Sequence, residues 1–162
     1  MLPGCGSTTG GRKAATRPSA LFAKAPAGLA YTSANASTVD RVKSLVSKSA
    51  PGLSGDDIAV RQVLQKGGIG QPVAVAVTVD THSSGNSGDA LKGFGAAARA
   101  QTGKAPQSTV VAGAKASLAK LSGATVTVAE TNGYVVEAIA ADKLTATRVL
   151  RRLILAASAA KR

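Results

Sequence analysis

Cysteine, histidine, methionine and aromatic residues are all scarce in this chain of 162 residues. It contains one Cys, one His, one Met, two Tyr, two Phe and no Trp. A single cysteine excludes an intramolecular disulfide and a cysteine-based metal site. So few aromatic rings argue against a platform on which nucleic-acid bases stack. The core must therefore be built from Val, Leu, Ile and Ala.

Long apolar runs are also missing from the sequence. No stretch reaches the roughly 18 apolar residues that a membrane-spanning helix needs. One His and one Met leave few soft ligands for a transition metal. We therefore expect no membrane-spanning helix, no metal site and no cofactor.

Acidic residues are few as well. The chain has 20 Lys and Arg but only 8 Asp and Glu, a formal net charge of +12, and its first 36 residues carry no acid. Such a charge favours anionic partners such as phosphate polymers, lipid headgroups or nucleic acid. The basic residues are spread along the chain, which is also typical of a solubilising surface. The tightest group is a candidate anion-binding set on one helix face: Arg148, Arg151 and Arg152.

Residues 1–36 are predicted to form a flexible tether. They are rich in Gly, Ser, Thr, Ala and Pro and have no sustained apolar period. Such a segment buries too little surface to offset the entropy lost on ordering. Two short apolar pieces, 21–23 and 29–31, are its expected points of contact with the domain. Residues 37–162 are predicted to form a single compact domain.

Periodicity and capping residues predict the elements of this domain. Helices are expected over 37–49, 88–102 and 142–159. Strands are expected over 57–65, 73–79, 108–112, 124–130 and 134–140. Asn132-Gly133 separates the last two strands, and this dipeptide is a strong hairpin signal because both residues accept positive φ. Residues 113–122 fit either a helix or a strand, and their pattern slightly favours a helix.

This order of elements predicts an α+β fold. We expect a mainly antiparallel sheet of about five strands, with two or three helices packed on one face. The apolar face of the first helix is expected to contain Val39, Val42, Leu45 and Val46. That of the last helix is expected to contain Leu144, Val149, Leu150, Leu153, Ile154 and Ala157.

The only cysteine, Cys5, directly follows Leu2, Pro3 and Gly4 and precedes a polar Gly/Ser/Thr run. A Leu three residues before the cysteine and a small residue directly before it resemble the lipobox of bacterial lipoproteins. Pro3 departs from that pattern, where a small or branched residue is more usual. No apolar segment precedes Cys5, so we expect the rest of a signal sequence upstream. The Ala/Gly/Val/Arg-rich composition is similar to that of small uncharacterised lipoproteins of high-GC Gram-positive bacteria.

The resemblance implies that Cys5 carries a diacylglyceryl group and, as in that family, a further acyl chain such as palmitate. Several acyl chains anchor a protein stably, so the domain would lie outside the cytoplasm on a membrane. The polar run after Cys5 would let it stand off the bilayer. The alternative is an unmodified thiol in a disordered tail.

The only histidine, His82, follows Asp80 in a polar loop. Asp80 could orient His82 so that it activates a neighbouring serine, namely Ser83, Ser84 or Ser87. None of these serines lies in a nucleophile-elbow pattern, and Asp80 and His82 are only two residues apart. A solvated loop is the favoured interpretation.

Two further patterns carry weak chemical signals. Glu130 and Glu137 lie on facing arms of one hairpin and could form a general acid/base pair, but we expect both side chains near the surface. The glycines in 67–70 superficially resemble a phosphate loop. They lie between two strands and lack a following Lys-Ser/Thr, which predicts an ordinary turn.

These patterns together predict a non-enzymatic lipoprotein of the cell envelope that acts as a binding or scaffolding domain through a basic surface. The alternative is a cytoplasmic basic protein that binds nucleic acid.

Overall fold

The structure is a computed structural model that describes residues 16–82 and 87–160. Within these ranges the chain forms three α-helices and seven strands. The helices are α1 (Ala36–Ser49), α2 (Ser87–Thr102) and α3 (Lys143–Ala159). The strands are β1 (Leu29–Ser33), β2 (Ile58–Gln65), β3 (Ala74–Asp80), β4 (Gln107–Val111), β5 (Ala114–Leu121), β6 (Ala124–Thr131) and β7 (Tyr134–Ala140).

The seven strands form one sheet in the order β1-β2-β3-β7-β6-β5-β4, and all the neighbouring strands are antiparallel. The first three strands and the last four are two meanders that meet where β3 pairs with β7. In this centre Val77 lies opposite both Val60 and Glu137. The predicted α+β class and antiparallel sheet are confirmed, but the strand number of about five is too low.

Two strands, β1 and β5, were not predicted, and β5 was missed because its residues favour a helix locally. Residues 113–122 were expected to lean towards a helix, yet 114–121 form β5, between β4 and β6. Gly113 and Gly123 end this segment at both sides with φ of 81° and 84°. The eight residues between these turns pair with two strands, and this pairing outweighs the weak helical preference of Ala, Leu and Lys.

Three two-residue turns connect the meander from β4 to β7. They are Ala112-Gly113, Ser122-Gly123 and Asn132-Gly133, and all six residues have positive φ between 38° and 84°. Positive φ at both positions defines the turn whose twist matches that of a hairpin. The predicted hairpin at Asn132-Gly133 is confirmed.

Helices cover both faces of the sheet, and not one face as the sequence predicted. On one face α3 packs over the central strands, and its inward residues are all at most 1% exposed. They are Ala146, Val149, Leu150, Leu153, Ile154 and Ala157. Leu144, expected on the same apolar face, is 70% exposed because it lies on the outer side of α3, one and two turns before the exposed Arg148 and Arg151.

The opposite face is covered by α1 and α2. Partly buried residues of α1 (Val39, Val42 and Val46) and of α2 (Leu91 and Phe94) pack against Ile58, Val60, Val77 and Val79 of the sheet. Leu45 was expected to join the apolar face of α1 but is 58% exposed. We call residues 36–57 and 87–102 the α1/α2 layer.

An N-terminal strap, residues 16–28, lies on the α3 side of the sheet. Leu21 and Phe22 are buried in the same core as α3, and the Phe22 ring lies edge-on to the ring of Tyr31, 5.0 Å between centroids. The fold therefore begins before residue 37, where the domain was expected to start, and the two pieces expected to make contact do so. We call the strap and residues 142–160 the α3 layer.

Candidate functional site

The residue with the most specific sequence signal, Cys5, lies outside the described residues. The first described residue, Thr16, is fixed to the domain because the hydroxyl of Tyr134 donates a hydrogen bond to its carbonyl oxygen. Asn132, in the turn before Tyr134, donates from its side chain to the carbonyls of Ala157 and Ala160 at the end of α3. The chain therefore enters the fold beside the C-terminal end of α3.

Asp80 and His82 do come together at this end of the sheet. The Nδ1 atom of His82 lies 2.6 Å from Oδ1 of Asp80, which also accepts a hydrogen bond from the His82 backbone N–H. Thr81 holds the loop in place, since its backbone N–H and its hydroxyl both donate to the carbonyl of Gly133. A carboxylate thus orients the imidazole, as the catalytic hypothesis requires.

The imidazole is also packed against the turn between β6 and β7. It lies edge-on to the ring of Tyr134 at 4.9 Å, and a Cβ at Gly133 would lie 2.5 Å from His82 Nε2. A side chain at residue 133 would therefore displace this imidazole, and the φ of 75° at residue 133 also favours glycine. Of the predicted serine nucleophiles, Ser83 and Ser84 lie outside the described residues, and the side chain of Ser87 is likewise not described.

Burial changes the ionisation of Tyr134. The side chain is fully buried, and loss of solvation raises the pKa of its hydroxyl, an effect that the nearby Asp80 carboxylate reinforces. Tyr134 therefore acts as a neutral hydrogen-bond donor that ties the strap to β7.

A pocket of about 610 Å³ lies next to this corner, at the edge of β2 beyond the end of β1. Its charged lining consists of three basic and three acidic residues: Arg17, Lys43, Arg61, Asp56, Asp57 and Asp80. This mixture does not select a ligand of one charge. Within residues 16–82 and 87–160 no group of three or more His, Cys, Asp and Glu is placed to hold a metal ion.

Glu130 and Glu137 lie on the same face of the sheet, towards α1 and α2. Glu130 is paired with Val135, and Glu137 with Val128, so the two carboxylates are diagonal neighbours. Glu130 is exposed. Glu137 is partly exposed, but it lies mid-strand with the buried residues Val77 and Val128 on either side, which is a more apolar position than expected.

The surroundings of Glu137 disfavour its charged form. Burial among apolar side chains raises the pKa of its carboxyl group to about 7. A carboxyl group with such a pKa is protonated in part near neutral pH. The sequence predicted a surface position for this side chain and did not indicate this apolar environment.

Two of the three clustered arginines hold the strap. Arg148 Nη2 donates to the carbonyl of Ala27 at 2.6 Å, and Arg152 Nε donates to that of Lys24 at 3.0 Å. Arg151 is exposed on the outer surface of α3. A guanidinium group has five donors, so these bonds leave most of the N–H groups of Arg148 and Arg152 able to bind an anion.

The two helical layers differ in charge. The α3 layer has six basic residues and one acid, Asp142, a net charge of +5. The α1/α2 layer has five basic residues and four acids, a net charge of +1. The basic residues of the α3 layer are Arg17, Lys24, Lys143, Arg148, Arg151 and Arg152.

The sheet adds to this difference in charge. Glu130 and Glu137 face the α1/α2 layer, whereas Arg61 lies over the ring of Phe22 on the α3 side, 5.7 Å from its centroid. The sequence pointed to the three arginines of α3 but not to Arg17, Lys24 and Lys143. The signal for these was the lack of acids in residues 1–36 and 143–162.

None of the helices in the described ranges is long and apolar enough to cross a bilayer. Comparisons of the chain with protein-family models, curated proteins and solved structures found no match.

Proposed function

We propose that this chain is a non-enzymatic binding domain of the cell envelope, anchored to a membrane through lipidated Cys5 and presenting the basic α3 layer to anionic headgroups or polymers. The observation that carries the proposal is the difference in charge between the two layers, +5 against +1. Of the six basic residues, all but Arg152 are exposed, so their charge acts on the surroundings.

The position of the N-terminus supports the same arrangement. Cys5 lies eleven residues before Thr16, and an extended chain of that length reaches at most about 40 Å. Because the strap belongs to the α3 layer, an anchor at Cys5 keeps this layer within reach of the bilayer. Electrostatic attraction between exposed charges extends about 8–10 Å at ordinary salt, and a tether of this length lets the basic residues approach the bilayer to within that range.

Localisation is tested by expressing the full gene in its host as the natural sequence and as Cys5→Ala, followed by cell fractionation. We expect the natural protein in the membrane fraction and the variant in a soluble fraction outside the cytoplasm. If both forms remain soluble in the cytoplasm, the anchor is wrong.

Binding is tested with the unlipidated Cys5→Ala protein and sedimenting vesicles of phosphatidylglycerol or phosphatidylcholine. We expect binding to the anionic vesicles only, and its loss as salt rises. Lys143→Glu with Arg151→Glu reverses two exposed charges of the α3 layer without touching the strap contacts. The matched control, Arg41→Glu with Arg99→Glu, makes the same change in net charge on α1 and α2.

The α3 variant should lose most of the vesicle binding, whereas the control should keep most of it. Equal loss in both variants would mean that net charge acts alone and that the α3 layer has no special role. Duplex DNA is the second probe. Tight DNA binding whose logarithm falls steeply with that of the salt concentration, together with weak vesicle binding, would favour the nucleic-acid alternative.

A further inference from the structure

The outer edge of the sheet at β4 is unusually free of charge for this chain. Four of the five residues from Gln107 to Val111 are exposed, and Val110 is 69% exposed. Residues 105–114 contain no charged side chain, although the chain carries a net charge of +12. Natural sheets commonly protect an edge strand with lysine, proline or a bulge, and within 107–111 there is neither lysine nor proline.

The turn that follows β4 determines which of its backbone groups point outward. Val111 and Ala114 flank the two-residue turn, and in such a hairpin these flanking residues form a hydrogen-bonded pair. Because hydrogen-bonded and non-hydrogen-bonded pairs alternate, Thr109 and Gln107 also bond to β5. The N–H and C=O groups of Ser108 and Val110 therefore point away from the sheet.

We propose that two copies of this chain pair antiparallel through β4, about a two-fold axis at Thr109. This axis places Ser108 of each copy opposite Val110 of the other, so that the outward N–H and C=O groups of both residues form four hydrogen bonds. The two Thr109 residues then meet as a non-hydrogen-bonded pair. The strand is complementary to itself, as a two-fold interface requires, and the two sheets become continuous.

The opposite edge of the sheet is less suited to this pairing. In β1 four of the five residues are partly buried, and the backbone N–H of Leu29 already donates to the carbonyl of Pro26. Pairing through β4 instead places Ser108 of the second copy beside Val110 and so removes part of its exposed surface from water, next to the pocket that Val110 lines with Leu91 and Val128. The remaining surface is basic and repels a second copy, so the dimer should become stronger as salt rises.

Cross-linking tests the axis directly in the full chain, with Cys5→Ser as background. In Thr109→Cys the two Cα atoms across the axis would lie about 4.5 Å apart, within the range that a disulfide spans. We expect a covalent dimer on mild oxidation. The matched control is Ser33→Cys at the exposed end of β1, which should remain mostly monomeric. Equal cross-linking of the two variants would overturn the proposed axis.

Sedimentation equilibrium of the Cys5→Ser protein provides the second measurement. We expect a concentration-dependent dimer, and Thr109→Lys should raise its dissociation constant at least about tenfold because two ammonium groups then meet at the axis. Ser33→Lys adds the same charge at the other edge and should leave the constant unchanged. A monomer at every concentration and salt, or equal effects of the two lysines, contradicts the proposal. Neither result depends on lipidation or on vesicle binding.

Discussion

The α3 layer and the α1/α2 layer cover opposite faces of one sheet, but they are packed to different degrees. Among the side chains that the structure describes, eighteen buried residues form the core on the α3 side, against eight on the other side. All six inward residues of α3 are buried, whereas in α1 and α2 Ala98 alone is buried among the side chains described. One helix with a wide apolar face therefore holds its layer more firmly than two helices with narrow faces.

The strap contributes to this difference. Side chains of α3, β3 and β7 donate hydrogen bonds to four of its carbonyl oxygens, those of Thr16, Pro18, Lys24 and Ala27. On the opposite face, towards the α1/α2 layer, lies the carboxyl group of Glu137. The firm layer is thus also the strongly basic one, which suits a surface that must keep its shape while it binds.

The largest expected effect comes from removing a core side chain of α3. Leu153 is fully buried, so Leu153→Ala should lower the free energy of unfolding by about 2–5 kcal/mol, through lost burial and a residual cavity. The matched change in the other layer is Leu45→Ala, at a residue that is 58% exposed. It should cost less than about 0.5 kcal/mol. Urea unfolding measures both, and similar losses would remove the difference between the layers.

The next effect depends on pH. Because burial raises the pKa of Glu137 from 4.5 to about 7, the folded protein holds this proton more tightly than the unfolded chain does. The stability that the protonated form provides is complete below pH 4.5 and is lost as the pH rises through about 7. Glu137→Gln keeps the neutral form at every pH.

Glu137→Gln and the natural protein should therefore be almost equally stable at pH 4. At pH 8 the variant should be more stable, by at most about 3 kcal/mol for a pKa shift of this size. Glu130→Gln removes an exposed carboxylate from the same face and should change stability by less than about 0.5 kcal/mol at pH 8. Urea unfolding from pH 4 to pH 8 is the measurement. Parallel profiles for the Glu137 variant and the natural protein would show that the sheet face does not disfavour the charge.

A smaller effect tests the strap. The hydroxyl of Thr78, which is fully buried, donates to the carbonyl of Pro18 at 2.9 Å. Thr78→Val keeps the shape of the side chain but removes this hydroxyl donor, at a cost of about 0.5–1.5 kcal/mol. Limited proteolysis should then cut within 16–28 earlier than in the natural protein. Unchanged stability and cleavage would mean that this bond does not hold the strap.

The local features of this fold were predictable and the long-range ones were not. The hairpin at Asn132-Gly133 was predictable because its turn depends on two adjacent residues. Gly113 and Gly123 precede Gly133 at intervals of ten residues. This regular spacing of turn residues indicates two strands of similar length, and so a strand at β5. β1 was missed because it is short and its sequence resembles the rest of the tether, while its pairing with β2 depends on residues some 30 positions away.

In the candidate site, too, the features that depend on neighbouring residues were predictable and those that depend on distant residues were not. The Asp80–His82 contact and the arginine face of α3 follow from spacing along the chain, so the sequence pointed to them. The bonds of Arg148 and Arg152 to the strap join residues more than 120 positions apart. The environment of Glu137 depends on which helices pack on its face of the sheet. The sequence predicted that all the helices pack on one face, whereas they cover both.

Hydrogen exchange of the Cys5→Ala protein, recorded alone and with phosphatidylglycerol vesicles, tests most directly whether the firm layer is the binding layer. Alone, the amides of α1 and α2 should exchange well before those of α3, because a layer with few buried contacts opens locally. With vesicles, further slowing should be confined to residues 16–28 and 142–160. Equal exchange in the two layers, or vesicle protection in 36–57 and 87–102 instead, would contradict the account.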